Sequence, residues 1–152
     1  MRESIGQAFL VNLVITIVAV TMFILIGAVV YSKTFKIKTK LVDIMEKYKG
    51  NADVYEAARD EMERYLGSIG YRKNPKSTQD CPSKDRGTVR NNTASPYHYC
   101  VYEFDSGAGE NRGKYYGVLV YIYFDFPIIG DIIEIPVYGE TEVFFDSGYI
   151  EG

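Results

Sequence analysis

The sequence predicts an α+β chain, in which a long N-terminal helix precedes a small antiparallel β-sheet head. Three observations carry that prediction. Residues 4–32 hold no charged side chain, and residues 9–31 read FLVNLVITIVAVTMFILIGAVVY. Residues 31–48 contain neither Pro nor Gly and keep an apolar stripe at helical spacing. Fourteen of the twenty-two aromatic residues fall within residues 97–152, with β-branched residues between them, which is the composition of a sheet.

The first helix is predicted over about residues 4–49. Its 23-residue apolar run reaches about 34 Å at ~1.5 Å per residue, slightly more than the ~30 Å hydrocarbon layer of a bilayer. A cleaved secretory signal has a basic start, a shorter apolar core and a small-residue cleavage site, a pattern that Met1-Arg2-Glu3-Ser4 and the run behind it do not follow. Beyond the run, Leu41, Ile44, Met45 and Tyr48 make one stripe, with Lys36, Lys38, Lys40, Asp43, Glu46 and Lys47 around it. The helix therefore leaves the lipid and lies on something. Gly50 terminates it, which divides the chain into residues 1–49, the transmembrane and amphipathic helix, and residues 50–152, the α+β head.

Asn51 followed by Asp53 is a fresh helix start, and the second helix runs to about residue 66. Val54, Tyr55, Ala58, Met62, Tyr65, Leu66 and Ile69 form its buried face. Residues 70–96 are polar, lack either periodicity, and read as an irregular surface excursion. A loop of that length needs tying down. A Cys81–Cys100 disulfide would close a loop of roughly 20 residues, worth about 3 kcal/mol in the chain-entropy account, and points to an oxidising compartment; two reduced thiols in a cytosolic domain are the alternative.

Residues 97–104 are predicted as one strand, 105–113 as a Gly-rich turn, and 114–126 as a second strand paired with the first in a hairpin. Pro127 ends that strand, residues 131–135 make a short one, and Pro136 precedes a last strand over 137–145 that alternates at Val137, Thr141, Val143 and Phe145.

Composition excludes much chemistry. One histidine and two cysteines leave little for a metal cage or a histidine-based triad, so no enzyme and no cofactor is expected. Residues 50–152 carry ten Lys/Arg against seventeen Asp/Glu, a net −7, and will not seek nucleic acid. Asp105, Glu110 and Asn111 are a weak calcium candidate whose spacing matches no EF-hand loop, and a plain hairpin turn is the simpler reading. His98 has no nucleophile at a recognisable motif and reads as a packing residue. Asn91-Asn92-Thr93 fits the glycosylation sequon. Lys33, Lys36, Lys38 and Lys40 suit either anionic lipid, at about 1 kcal/mol per charge, or acidic groups of neighbouring copies. Glu3, just ahead of a lipid-length run, is expected to find a cation such as a terminal amine or Arg2, or else to lie at headgroup level.

Glu3 before an apolar helix, an amphipathic second half and a small antiparallel sheet together resemble the type IV pilin superfamily. The stretch FDFPIIGDIIEIPVYGETEVFF over residues 124–145 is similar to tight-adherence (TadE-like) pseudopilins. The resemblance implies a pilin-like layout, a prepilin peptidase and assembly machinery as partners, and an acidic residue near the mature terminus, here Glu3, that pairs with a neighbour's terminal amine. Four lysines after the span and only Arg2 before it favour a cytosolic head, whereas the disulfide favours an external one; a basic leader ahead of Met1 would reconcile the two.

The function expected is that of a structural subunit of an extracellular type IV pilus-like filament on the cell surface, with an inner-membrane-inserted precursor and a role in adhesion. Assembly into a helical homo-oligomer is expected through Glu3, Gly6, Ala8, Phe9, Val18, Ala19, Phe23, Gly27 and Ala28, the small residues permitting close approach of helices. Asn12, Thr16 and Thr21 are expected to hydrogen-bond their own or adjacent backbones. The alternative is a single-pass anchored protein whose acidic β head binds a secretion or envelope partner.

Overall fold

The computed structural model describes residues 2–71, 81–90, 95, 97–107, 113–125 and 132–145, the side chains of residues 2–5, 122–125 and 132–133 excepted. It is an α+β chain: α1 (Arg2–Lys47), α2 (Val54–Ser68), β1 (Gly87–Val89), β2 (Tyr99–Ser106), β3 (Gly113–Asp125), β4 (Ile132–Glu140) and β5 (Phe144–Phe145). The strands form one antiparallel sheet in the order β1-β2-β3-β4, with β5 pairing the start of β3.

The chain divides into two compact units, Met1–Lys33 and Thr34–Gly152, and the second half of α1 belongs to the second of them. The physical reason is the stripe in the second half of the helix. Thr34, Ile37, Leu41, Ile44 and Met45 are buried at heptad-like spacing, and the four apolar ones join the core of the head.

Gly50, with φ of 99°, stops α1, and the Asn51 side-chain amide donates to the Tyr48 carbonyl at 2.9 Å. Asp53, and not Asn51, is the N-cap of α2: its carboxylate accepts from the Glu56 amide at 3.2 Å. Val54, Tyr55, Ala58, Met62 and Leu66 are buried as the periodicity requires, while Tyr65 and Ile69 are partly buried at the margin. Lys47 and the Tyr48 hydroxyl both donate to the Glu61 carboxylate, at 2.7 and 2.8 Å, tying the end of α1 to α2.

Both faces of the sheet are covered. One face packs Tyr99, Val101, Tyr116, Val118, Val120 and Phe144 against the two helices, and the other gathers Cys100, Tyr102, Phe104 and Leu119 into a second cluster with Cys81 and Tyr138 at its border. The register Cys100↔Leu119 and Val101↔Val118 explains the split, since successive residues of a strand face opposite ways.

Three sequence expectations need correction. The polar excursion over residues 70–96 contains strand β1, which pairs Thr88 with Glu103 at the sheet edge. The predicted 105–113 turn is shorter, because β2 continues to Ser106 and β3 begins at Gly113. Strands predicted apart at 131–135 and 137–145 are instead the continuous β4 through Pro136, then the two-residue β5.

Pro136 is tolerated for a geometric reason. Its register partner Tyr121 donates its N–H to the Tyr71 hydroxyl at 3.2 Å, away from β4, so Tyr121 and Pro136 are not a hydrogen-bonded pair and the proline nitrogen faces the open edge. The predicted alternation is also displaced by one position at the end of the chain: Phe144 is buried, whereas Phe145 is 62% exposed. Thr141, outside any strand, exchanges bonds with Tyr116 instead, donating its N–H to the Tyr116 carbonyl and accepting the Tyr116 N–H on its hydroxyl.

Candidate functional site

Two surfaces stand out, one in each unit. In Met1–Lys33 the apolar run over residues 9–31 is exposed at every position but Gly27 and Val30, which are partly buried. Phe9, Leu10, Val11, Leu13, Val14, Ile15, Ile17 and Val18 are all more than two-fifths exposed, and the pattern continues through Phe23 to Tyr31. Successive helical residues are ~100° apart, so exposure over such a run covers every azimuth and leaves no polar side. The hydroxyls of Thr16 and Thr21 donate to the carbonyls of Asn12 and Ile17, each at 2.8 Å, and so present no unsatisfied donor on this surface. By length and composition α1 is able to cross a membrane, a property that signal sequences share.

The expected assembly residues lie along this helix. Ala8, Phe9, Val18, Ala19, Phe23 and Ala28 are exposed, and a Cβ added at Gly6 or Gly27 would meet nothing within 4 Å. At ~100° per residue Ala8 and Ala19 fall within about 20° of one another, but Gly6 and Gly27 do not join them, so the small residues are distributed around the helix and form no single stripe. Glu3 lies in α1, with its side chain outside the described residues.

The second surface is the sheet face that the helices do not cover. The Cys81–Cys100 disulfide, with a Cα–Cα distance of 5.7 Å, fixes residues 81–86 against it as a strap that leads into the edge strand β1. The Tyr102 hydroxyl donates to the Pro82 carbonyl at 2.8 Å, and the Lys84 ammonium lies 3.0 Å from the Tyr138 ring centroid. Burial pushes the Lys84 ammonium down from its ordinary value, with Glu140 opposing, and burial raises the Tyr102 phenol to about 12. Two glycines make the close packing possible. The Phe104 ring lies over Gly87, 2.6 Å from where a Cβ would stand, and the Tyr138 ring lies over Gly117.

Beyond β1 the chain is held by charge. Arg90 pairs with Asp53, the N-cap of α2, and with Glu103 at 3.2 Å, while Lys114 reaches the same Glu103 at 2.7 Å. Burial pushes the Asp53 carboxyl up, but the Glu56 amide and then Arg90 outweigh it and hold the group below the usual carboxylate range. This chain of contacts joins α2, β1, β2 and β3.

Of the remaining candidates, Asp105 is an exposed β2 residue in register with Lys114, and Glu110, Asn111 and Asn91 lie outside the described residues. Among the described residues no group of three or more His, Cys, Asp or Glu side chains could hold a metal ion. His98 is buried and stacks on Tyr121 with ring centroids 4.0 Å apart. Lys38 crosses Gly139 with its aliphatic stem and holds its ammonium 4.2 Å from the Phe35 ring, whereas Lys36 and Lys40 are exposed. Sequence reasoning missed Lys84, Arg90 and Tyr138. The available signal was glycine inside aromatic strands, at Gly117 and Gly139, which marks a close approach by another group.

No family model, no curated protein and no solved structure matches this chain.

Proposed function

We propose that the chain is a structural subunit of an extracellular type IV pilus-like filament. The apolar helix holds a precursor in the inner membrane and then packs against the same helix of neighbouring copies, while the stapled head forms the coat.

One observation carries this reading: the helix over residues 9–31 is apolar and exposed on every side. Sixteen large apolar side chains between Phe9 and Tyr31 are more than two-fifths exposed, and covering them is worth on the order of 20 kcal/mol, more than the whole stability of an ordinary domain. Such a surface requires lipid or protein around its full circumference. The head, in contrast, closes its own core and carries a disulfide of the kind that persists in oxidising compartments. The processing peptidase and assembly machinery follow from the likeness to pilins.

Negative-stain imaging of the purified, oxidised full chain tests the proposal. Threads are expected, and Val18→Asp is expected to abolish them while leaving the disulfide formed. Dispersed single particles under all conditions would overturn the filament and leave the other reading, a single-pass anchor whose acidic head binds an envelope partner.

A further inference from the structure

The Cys81–Cys100 bond joins partners of unequal freedom. Cys100 is fully buried on β2, an inner strand flanked by β1 and β3, whereas Cys81 is partly buried on a segment outside any strand. Closing the bond is therefore a matter of bringing the strap to a fixed sulfur.

Contacts that involve neither sulfur hold the residues that follow Cys81. The Pro82 carbonyl accepts the Tyr102 hydroxyl at 2.8 Å, and the Lys84 ammonium lies 3.0 Å from the Tyr138 ring centroid and 5.7 Å from that of Tyr102. The Gly87 N–H donates to the Lys84 carbonyl at 3.0 Å, which turns the strap into β1, where the Phe104 ring lies over Gly87. The seat itself is built from the sheet. Cys100, Leu119 and Tyr138 are successive register partners across β2, β3 and β4 and share one face. The Tyr138 hydroxyl donates to Glu140 at 2.8 Å and its ring lies over Gly117, so the ring that receives Lys84 is placed without help from the strap.

The Tyr102 hydrogen bond and the Lys84 cation–π contact together favour a docked strap over a free one by on the order of ten-fold. Tethered through β1 alone, Cys81 would move on the six-residue leash 81–86 and meet Cys100 only part of the time.

We infer that the strap docks before it is stapled: in the reduced head its own side chains hold Cys81 against Cys100, and oxidation closes a bond already in register. The inference concerns the head alone and holds whatever the apolar helix meets. Cys81 is the more accessible sulfur, so its thiolate attacks a small disulfide oxidant such as oxidised glutathione, forming a mixed disulfide and releasing one glutathione thiol. The Cys100 thiolate then attacks the Cys81 sulfur and expels the second glutathione. The chain gives up two electrons and two protons, and the oxidant takes both. Docking speeds the second step, which is within the chain, and so favours the intrachain bond over one between copies.

The test uses the full chain in detergent micelles with isotope-labelled lysine. In the oxidised protein the Tyr138 ring current should move the Lys84 side-chain methylene signals upfield, and Tyr138→Leu should abolish that shift, which assigns them. After reduction with a phosphine the signals are expected to stay shifted. Their return to the position of exposed lysines would show that the disulfide alone seats the strap, and would overturn the inference. The reduced chain is then mixed with oxidised glutathione and followed by mass spectrometry. The double variant Lys84→Met, Tyr102→Phe is expected to keep its glutathione adduct about ten-fold longer than the unaltered chain. Equal lifetimes would overturn the inference as well. If the double variant loses the circular dichroism of the head, Lys84→Met alone replaces it, with a several-fold longer adduct lifetime expected, and the lysine signals of the unaltered chain need no variant to fold.

Discussion

Helix α1 is one element from Arg2 to Lys47, yet its two halves solve the problem of burial in different ways. In the first half large apolar residues are exposed at every azimuth; in the second Ile37, Leu41, Ile44 and Met45 form one stripe buried in the core of the head, with Val42 and Tyr48 partly buried beside it and Phe35 left exposed. Backbone geometry is the same in both. The difference teaches that helical propensity builds the rod, while the angular distribution of apolar residues decides whether a stretch finds its partner within the chain or must find it outside.

The largest expected effect breaks the first half alone. Val18→Asp places a carboxylate at the middle of the apolar run, where insertion costs about 3 kcal/mol in each copy, and assembly that repeats this cost should fail. Imaging is expected to show no threads, with head circular dichroism unchanged. Leu41→Ala tests the other half: truncating a fully buried leucine should destabilise the head by about 2–5 kcal/mol in chemical denaturation and leave membrane partition of the first half as it was. If Leu41→Ala leaves the head's denaturation midpoint unchanged, the second half is not part of its core.

Reducing the Cys81–Cys100 bond should cost about 3 kcal/mol, because it releases a loop closure in the unfolded chain. Protease sensitivity is expected to rise first within residues 81–86, and uniform cleavage across the head would contradict the strap. The smallest effect concerns Asp53. A carboxyl held below its ordinary value contributes stability that is present above its unfolded value near ~3.9 and is lost as pH falls through the folded value. The side chain is 40% exposed, so the contribution is under about 1 kcal/mol. Asp53→Asn, which keeps an N-cap acceptor, should flatten the head's acid dependence between pH 5 and 2 while changing its stability at pH 7 little, as measured by urea denaturation at each pH.

Much of the fold was legible in the sequence because its signals are local. The uncharged run, the stripe through Leu41 and Met45, the stop at Gly50 and the face of α2 each depend on spacing within a few turns. Asn51 and Asp53 show the limit of that legibility, since both are good cap residues and only the chain path assigns the cap to Asp53. β1 was hidden for a related reason: Gly-Thr-Val is too short to show a period, and it becomes a strand only because Phe104 and Glu103 lie beside it.

Sequence by itself determined that this chain has a membrane-length apolar helix, an amphipathic continuation, an aromatic sheet and a cysteine pair worth closing, because composition and periodicity fix which surfaces water rejects. Tertiary structure alone decided that the second half of α1 belongs with the head, that β4 runs through Pro136, and that Lys84 and Tyr138 hold the strap. Those outcomes turn on which strand lies at an edge and which side chain crosses a glycine, and such contacts join residues far apart in the chain.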